Sequence, residues 1–328
     1  MVAEVKTNLS GRVLAQWKEL LSRAGLEPDE KTEQTVLLWD AETLVASGSR
    51  QGNLLKCIAV DPDRRGEDLT AAVLTQLRME AFREGHRHLF LYTKPENRRL
   101  FQGLFFYPVI HTDTVALMED KRNGIRAFLD GLPKGPKANT VGAAVMNCNP
   151  FTLGHRYLIE TAARECEQVY IFVLSEDKSR FSAADRLEMV RRGVQDLSNV
   201  TVLPTGPYLI SSATFPTYFL KDREQAPQVH CKLDIALFGT YFVPHFGITH
   251  RYVGTEPLSP MTESYNRALE ELLPQYGVVL RQIPRLETED APVSASRVRD
   301  LLEKGADIRD LVPQTTYDYL IQGGTNHG

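Results

Sequence analysis

The 328-residue chain predicts an α/β protein, with an α+β domain followed by a doubly wound parallel sheet of the Rossmann type. Three observations predict it. Short strand runs crowd the first 130 residues around only a few helices. A Gly/Pro-rich basic stretch, Gly131–Ala138, interrupts the pattern and reads as a linker. Beyond it, unbroken apolar runs alternate with amphipathic helices, the pattern of strands buried on both faces.

In the first half, residues 12–24 place Val13, Leu14, Trp17, Leu20 and Leu21 on one helical face, between a Ser10 cap and a Gly25 stop. TVLLWD, TLVASGSR and NLLKCIAV read as three strands separated by turn residues. A helix in LTAAVLTQLRMEAFREG, a strand in HLFLYT and a helix in NRRLFQGL follow. YPVIHTDTVALMED reads as paired strands. In the second half, TVGAAVMN, VYIFVLS, NVTVLP, IALFGT, HRYVGT and GVVLRQIPR are the strand runs. Helices are expected from Gly154 to about Glu167, after the capping-type Ser182–Asp185, around SYNRALEELL and in SASRVRDLLEKG. The expected boundaries are 1–130, linker 131–138, and 139–328.

Composition narrows the function. The chain is 42% hydrophobic and 24% charged with net charge −4, and no Lys/Arg cluster is dense enough for nucleic acid. MVAEVKTNLSGRV lacks a basic flank followed by an apolar core, so no secretory leader is expected, and no window is apolar enough to span a bilayer. A cytoplasmic protein without membrane or nucleic-acid partners is expected. Cys57, Cys148, Cys166 and Cys231 are scattered without C-x-x-C spacing, which predicts reduced thiols and no zinc site.

VMNCNPFTLGH carries the chemistry. Asn149-Pro150 ends a strand, Gly154 allows close backbone approach, and a helix starts near His155. The free amides and positive dipole end of that helix face the turn, so a triphosphate would bind there. An imidazole at the helix start is placed to donate to a phosphate oxygen as charge builds. A plain strand-turn-helix with a surface histidine is the alternative. Ligands of such a sheet bind at the carboxyl ends of its strands.

The whole string resembles the nucleotidylyltransferase signature G-x-F-[DN]-P-x-[HT]-x-G-H. Asn149 and Pro150, Thr152, and Gly154-His155 fit it, while Asn147 and Cys148 depart from it. Val293-Ser-Ala-Ser-Arg-Val-Arg299 resembles that superfamily's I-S-S-T-x-[IV]-R, which implies phosphate contacts from Ser294, Ser296 and Arg299. The loop Glu176–Phe181 corresponds to one that supplies a lysine, implying Lys178 with Arg180 as substitute. The resemblance thus implies catalytic roles for His155, Thr152, Lys178 and Arg299. His155 and Thr152 would hydrogen-bond the phosphate oxygens. An ATP site would comprise Met146, Asn147, Cys148, Asn149, Gly154, Gly254, Ser294 and Ser296. Mg²⁺ would be borne by the phosphates and held by no direct protein ligand.

The first half resembles the GCN5-related acetyltransferases in its order of elements. In that class a turn R-x-x-G-x-G/A presents amides to the pyrophosphate of coenzyme A. Arg64, Arg65 and Gly66 remain here, but Asp68 stands close to where glycine is wanted. Both halves together, with the segment ISSATFPTYFLK, are similar to the citrate lyase ligase family over nearly the whole chain. That resemblance implies acetylation, by ATP and acetate, of the thiol of a dephospho-coenzyme-A-type prosthetic group. The group sits on the acyl carrier subunit of citrate lyase, and the route is acetyl-AMP with release of AMP and pyrophosphate. Ser211 and Ser212 would hold the acetate or the thiol arm, with Phe215 and Tyr218 as an apolar wall. Glu256 is a further carboxylate near the same strand edge. The competing readings are an adenylyltransferase acting on pantetheine phosphate or a mononucleotide, and a non-catalytic module sensing coenzyme A or ATP.

Overall fold

Residues 1–29, 31–176, 179–211, 214–220, 222–255, 260–288 and 291–321 are described in the computed structural model of the chain. Two units separate by their contacts: Met1–Gly124 with Thr214–Leu233, and Ile125–Ala213 with Asp234–Gly328.

The first unit runs β1 (Val2–Lys6), α1 (Gly11–Arg23), β2 (Gln34–Asp40), β3 (Thr43–Gln51), β4 (Leu54–Val60), α2 (Leu69–Arg83), β5 (Phe90–Thr93), α3 (Arg98–Gly103), β6 (Tyr107–His111) and β7 (Ala116–Glu119). The sheet order is β1-β2-β3-β4-β5-β7-β6. Every pairing is antiparallel except β4 with β5, which pair in parallel only at Leu54↔Phe90 and Leu55↔Leu91. The order is the meander, helix, strand, helix and paired strands expected from the sequence, with one further strand, β1, that the patterning did not single out. Val73, Leu77 and Ala81 turn the inner face of α2 onto Val36, Leu55, Leu91 and Met118 of the sheet.

Beyond Leu91 the strands β4 and β5 part, and residues 214–220 join the unit there. The Glu27 amide donates to the Tyr218 carbonyl at 2.8 Å, and the Tyr218 hydroxyl donates to the Tyr92 carbonyl of β5. Phe215 packs edge-on against Tyr92 and His230. The turn after β4 carries its own countercharges: Arg64 is bonded to both carboxylate oxygens of Glu67 and to Asp40. A guanidinium held by two carboxylates has little charge left for a pyrophosphate.

The second unit begins with α4 (Gly124–Asp130) and runs β8 (Val141–Met146), α5 (Leu153–Glu165), β9 (Gln168–Val173), α6 (Ala183–Gly193) and β10 (Val200–Pro204). After α7 (Ala226–Leu237) and α8 (Val243–Phe246) come β11 (His250–Gly254), α9 (Pro260–Leu272) and β12 (Val279–Ile283). A two-residue hairpin, β13 (Glu287–Thr288) and β14 (Ala291–Pro292), leads to α10 (Ala295–Glu303) and α11 (Gln314–Ile321). The main sheet, β10-β9-β8-β11-β12, is parallel throughout, as the apolar strand runs predicted. Strand order reverses between β8 and β11, so the crevice at the carboxyl ends of these strands is the place for a ligand.

One expected strand is helical. IALFGT belongs to the end of α7 and to a π-helical stretch, Phe238–Phe242, that continues it. Ile235, Leu237, Phe238 and Phe242 are all buried, and Phe172 meets the rings of Phe238 and Phe242 edge-on. Within these six residues only Ala236 and Thr240 reach the surface, and neither carries a charge that would mark a polar face, so the sequence reads as an apolar run, like a buried strand. Gly239 permits the close approach: a Cβ there would lie 2.4 Å from the Tyr276 ring. Among the described residues, no helix is long and apolar enough to cross a membrane.

Candidate active site

The turn after β8 is built around its first helical residues. Thr152 is the N-cap of α5, with extended backbone, and His155 stands at the third helical position. The Thr152 hydroxyl accepts from the His155 amide at 3.4 Å, and the Thr152 amide donates to His155 Nδ1 at 3.1 Å. This is a capping box with histidine in the place usually taken by Glu or Gln. The same hydroxyl lies 2.8 Å from Nδ1. Two donors therefore converge on Nδ1, which puts the imidazole proton on Nε2. Burial, and secondly the charge of Arg285, lower the His155 pKa to about 4. At neutral pH the ring is a neutral donor with a fixed tautomer.

Thr152, expected to touch a phosphate oxygen, is only 1% exposed and has its hydroxyl on His155 instead. It orients the donor. Gly154 has a separate reason to be glycine: a Cβ would sit 3.1 Å from the Val293 carbonyl, the residue before the cap of α10. The opening turn and the C-terminal VSASRVR motif are thus neighbours. Ser294 caps α10 by accepting from the Arg297 amide at 3.2 Å, and its hydroxyl lies 3.2 Å from that of the exposed Ser296. Arg299 Nη1 donates to the Asn149 carbonyl at 2.6 Å.

The third loop meets the other two. The Phe181 amide donates to Asn149 Oδ1 at 3.3 Å, and Arg180 donates to the Arg299 carbonyl at 3.1 Å while pairing with Glu303. Three segments more than a hundred residues apart in sequence at their extremes are therefore tied together around Asn149. Met146 closes β8 as the acceptor for the Leu174 amide, and Gly254 closes β11, its carbonyl held by Asn266. Both strand ends belong to the same edge of the sheet.

Two residues that sequence reasoning passed over take part. Arg186 of α6 is fully buried and donates to four acceptors: the Phe181, Asn147 and Glu176 carbonyls and Asn147 Oδ1. It clamps Glu176 and Phe181 to the turn after β8. Nothing local in DRLEMV marks Arg186, because its partners come from other segments. Arg285, just past the end of β12, is half-buried, donates to the Thr255 carbonyl at 3.2 Å and lies close enough to His155 to lower its pKa. Its position after a strand end at the switch edge is the signal that would have found it.

The remaining expected residues divide. Cys148 is buried, and desolvation drives its thiol far above the usual thiol range, so it is an inert filler of the turn. The exposed Asn147 is held by Arg186 and bonded to Ser179. Ser211 gives both its amide and its hydroxyl to the Glu176 carboxylate, at 2.7 and 2.8 Å. Phe215 and Tyr218 are buried in the first unit rather than at this edge. Lys178, Ser212 and Glu256 lie outside the described residues. Chemically, the edge offers a neutral imidazole donor, two helix N-termini and the cations Arg180, Arg285 and Arg299. Such an arrangement suits a polyphosphate.

Residues 141–320 match the family model described as the citrate lyase ligase C-terminal domain. The chain is 41% identical over 298 residues to the citrate (pro-3S)-lyase ligase of Klebsiella pneumoniae, covering 88% of this chain and 87% of that one. It is 39% identical over 316 residues to the enzyme of the same name from Haemophilus influenzae, covering 93% and 94%. To that of Escherichia coli it is 37% identical over 316 residues, covering 94% and 90%.

Proposed function

Because this chain belongs to the citrate lyase ligase family, we propose that it is an acid–thiol ligase acting on the acyl carrier subunit of citrate lyase. In this reading ATP and acetate are consumed, and the thiol of the dephospho-coenzyme-A-type prosthetic group is acetylated. An acetate oxygen attacks the α-phosphorus of ATP, the bond to pyrophosphate breaks, and acetyl-AMP forms. The prosthetic thiolate then attacks the acetyl carbonyl carbon, and AMP leaves.

The observation that carries the reading is the neutral His155 with its proton on Nε2, held in a capping box at a helix start. Such a donor strengthens its bond to an α-phosphate oxygen as negative charge grows there, without having to lose or gain a proton. Arg299 and Arg285 offset the charge of the departing pyrophosphate, and the starts of α5 and α10 supply amides. Among the described residues, the nearby Glu176 is engaged by Ser211 and Glu303 by Arg180. That donor set suits Mg²⁺ carried on the phosphates, where it screens their charge. No protein nucleophile enters either step, in keeping with the buried, protonated Cys148.

Pyrophosphate release from ATP, measured with and without acetate and without carrier, tests this reading. Release should require acetate. Acetate-independent release with adenylylation of a phosphate ester would assign the chain to adenylyl transfer instead.

A further inference from the structure

The outer face of the first unit carries apolar side chains that its own fold does not use. On α2, Val73, Leu77 and Ala81 face the sheet, so the opposite face should be polar. Instead it presents Met79, 45% exposed, and Phe82, 57% exposed. Next to it, after α3, Phe105 is 69% exposed and sits at φ +62°. A bulky residue in the left-handed region costs roughly what glycine would avoid, and here the exposed ring returns no burial in exchange.

These features form one surface. Arg78 of α2 donates to the Leu104 carbonyl at 2.7 Å and to the Phe105 carbonyl at 3.4 Å, fixing the turn beside the helix. Phe82 lies one helical turn after Arg78, and the Arg87 guanidinium covers its ring at 3.7 Å. Leu100, 50% exposed, precedes Leu104 by one turn. The acids of α2 are engaged: Glu80 is buried and bonded to Gln76 and Arg83, and the carboxylate of Glu84, just past the helix, holds Gln34 and the buried Arg50. The result is an apolar centre with arginines around it, the composition of binding hot spots. A second copy docking by this same face would set Arg78 and Arg87 against their own counterparts, so it is the poorer complement and an acidic protein surface the better one.

We propose that this α2–α3 face is the docking surface for the protein that bears the thiol arm, recognised through an acidic surface with an apolar centre. The identity of that partner rests on the ligase reading above; the surface itself does not.

The test uses the full chain and purified carrier subunit. Phe82→Ser with Arg87→Glu removes the exposed ring and reverses its covering charge. Phe105→Gly relieves the left-handed backbone and so keeps or raises thermal stability while removing the second ring. Calorimetric affinity for the carrier should fall about tenfold or more in each variant and weaken with salt in the parent. Acetate-dependent pyrophosphate release without carrier should stay within twofold. Carrier affinity within twofold of the parent in both variants would overturn the proposal. So would patch-dependent self-association or RNA binding in place of carrier binding. Patch-dependent carrier binding without acetyl transfer would sustain the surface and refute the ligase reading.

Discussion

Thr152→Val is the most informative single change at the site. It keeps the shape of a side chain that is 1% exposed and deletes a hydroxyl engaged with both the His155 amide and Nδ1. Losing an N-cap costs about 0.5–2 kcal/mol. With about 2–4 °C per kcal/mol for a unit of this size, the melting temperature should drop by roughly 1–8 °C. The ring keeps one of its two donors on Nδ1, the Thr152 amide at 3.1 Å. One neutral hydrogen bond is worth about 1 kcal/mol, so kcat for acetate-dependent pyrophosphate release should fall about 3- to 10-fold with KM for ATP little changed. Thr152→Ser should restore both rate and stability. If the hydroxyl instead touched the reacting phosphate, its loss would cost about 10²–10³ in kcat, as for a transition-state donor. A loss above 100-fold with an unchanged melting temperature would refute the orienting role.

Three further outcomes follow from the same geometry. His155 has a folded pKa of about 4 against 6.5 unfolded, so the unfolded chain binds the extra proton between those values, and stability present above pH 6.5 is lost as pH falls towards 4. The full shift corresponds to about 3 kcal/mol, and with the ring partly open to solvent we expect about 2 kcal/mol, which His155→Gln should remove from urea unfolding compared at pH 4.5 and 7.5. Arg186→Leu strips donors from one buried carbonyl, that of Phe181, and two part-buried ones, and should cost about 2–3 kcal/mol in denaturant unfolding and weaken ATP binding; an unchanged unfolding midpoint would contradict the clamp. Cys148 should resist iodoacetamide in the native protein and label after unfolding, and Cys148→Ala should keep its activity within a few-fold.

The parallel sheet and the meeting of three loops were legible because they are written locally. Each loop follows an apolar strand run and precedes a capped helix, and a doubly wound sheet brings such turns to one edge. What the residues do at that edge was less legible. Thr152 reads as a phosphate ligand from its motif, yet its place at the N-cap makes it a partner of the residue three positions on. Arg186 carries no local sign, since its acceptors lie in other segments. IALFGT lost its helical period because the residues it brings to the surface, Ala236 and Thr240, are uncharged. ISSATFPTYFLK lies in sequence beside the nucleotide-type strands, but Thr214–Leu233 packs with the first unit, bonded to Glu27 and Tyr92. Long-range partners of this kind leave no trace in periodicity.

The central claim is that the edge around His155 activates acetate for transfer to a carrier-bound thiol. Mass spectrometry of the carrier subunit after incubation with ATP, acetate and this protein tests it most directly. The account predicts a gain of one acetyl group on the prosthetic thiol, dependent on ATP and acetate and accompanied by AMP and pyrophosphate. A carrier of unchanged mass, or one that has gained an adenylyl group, would contradict it.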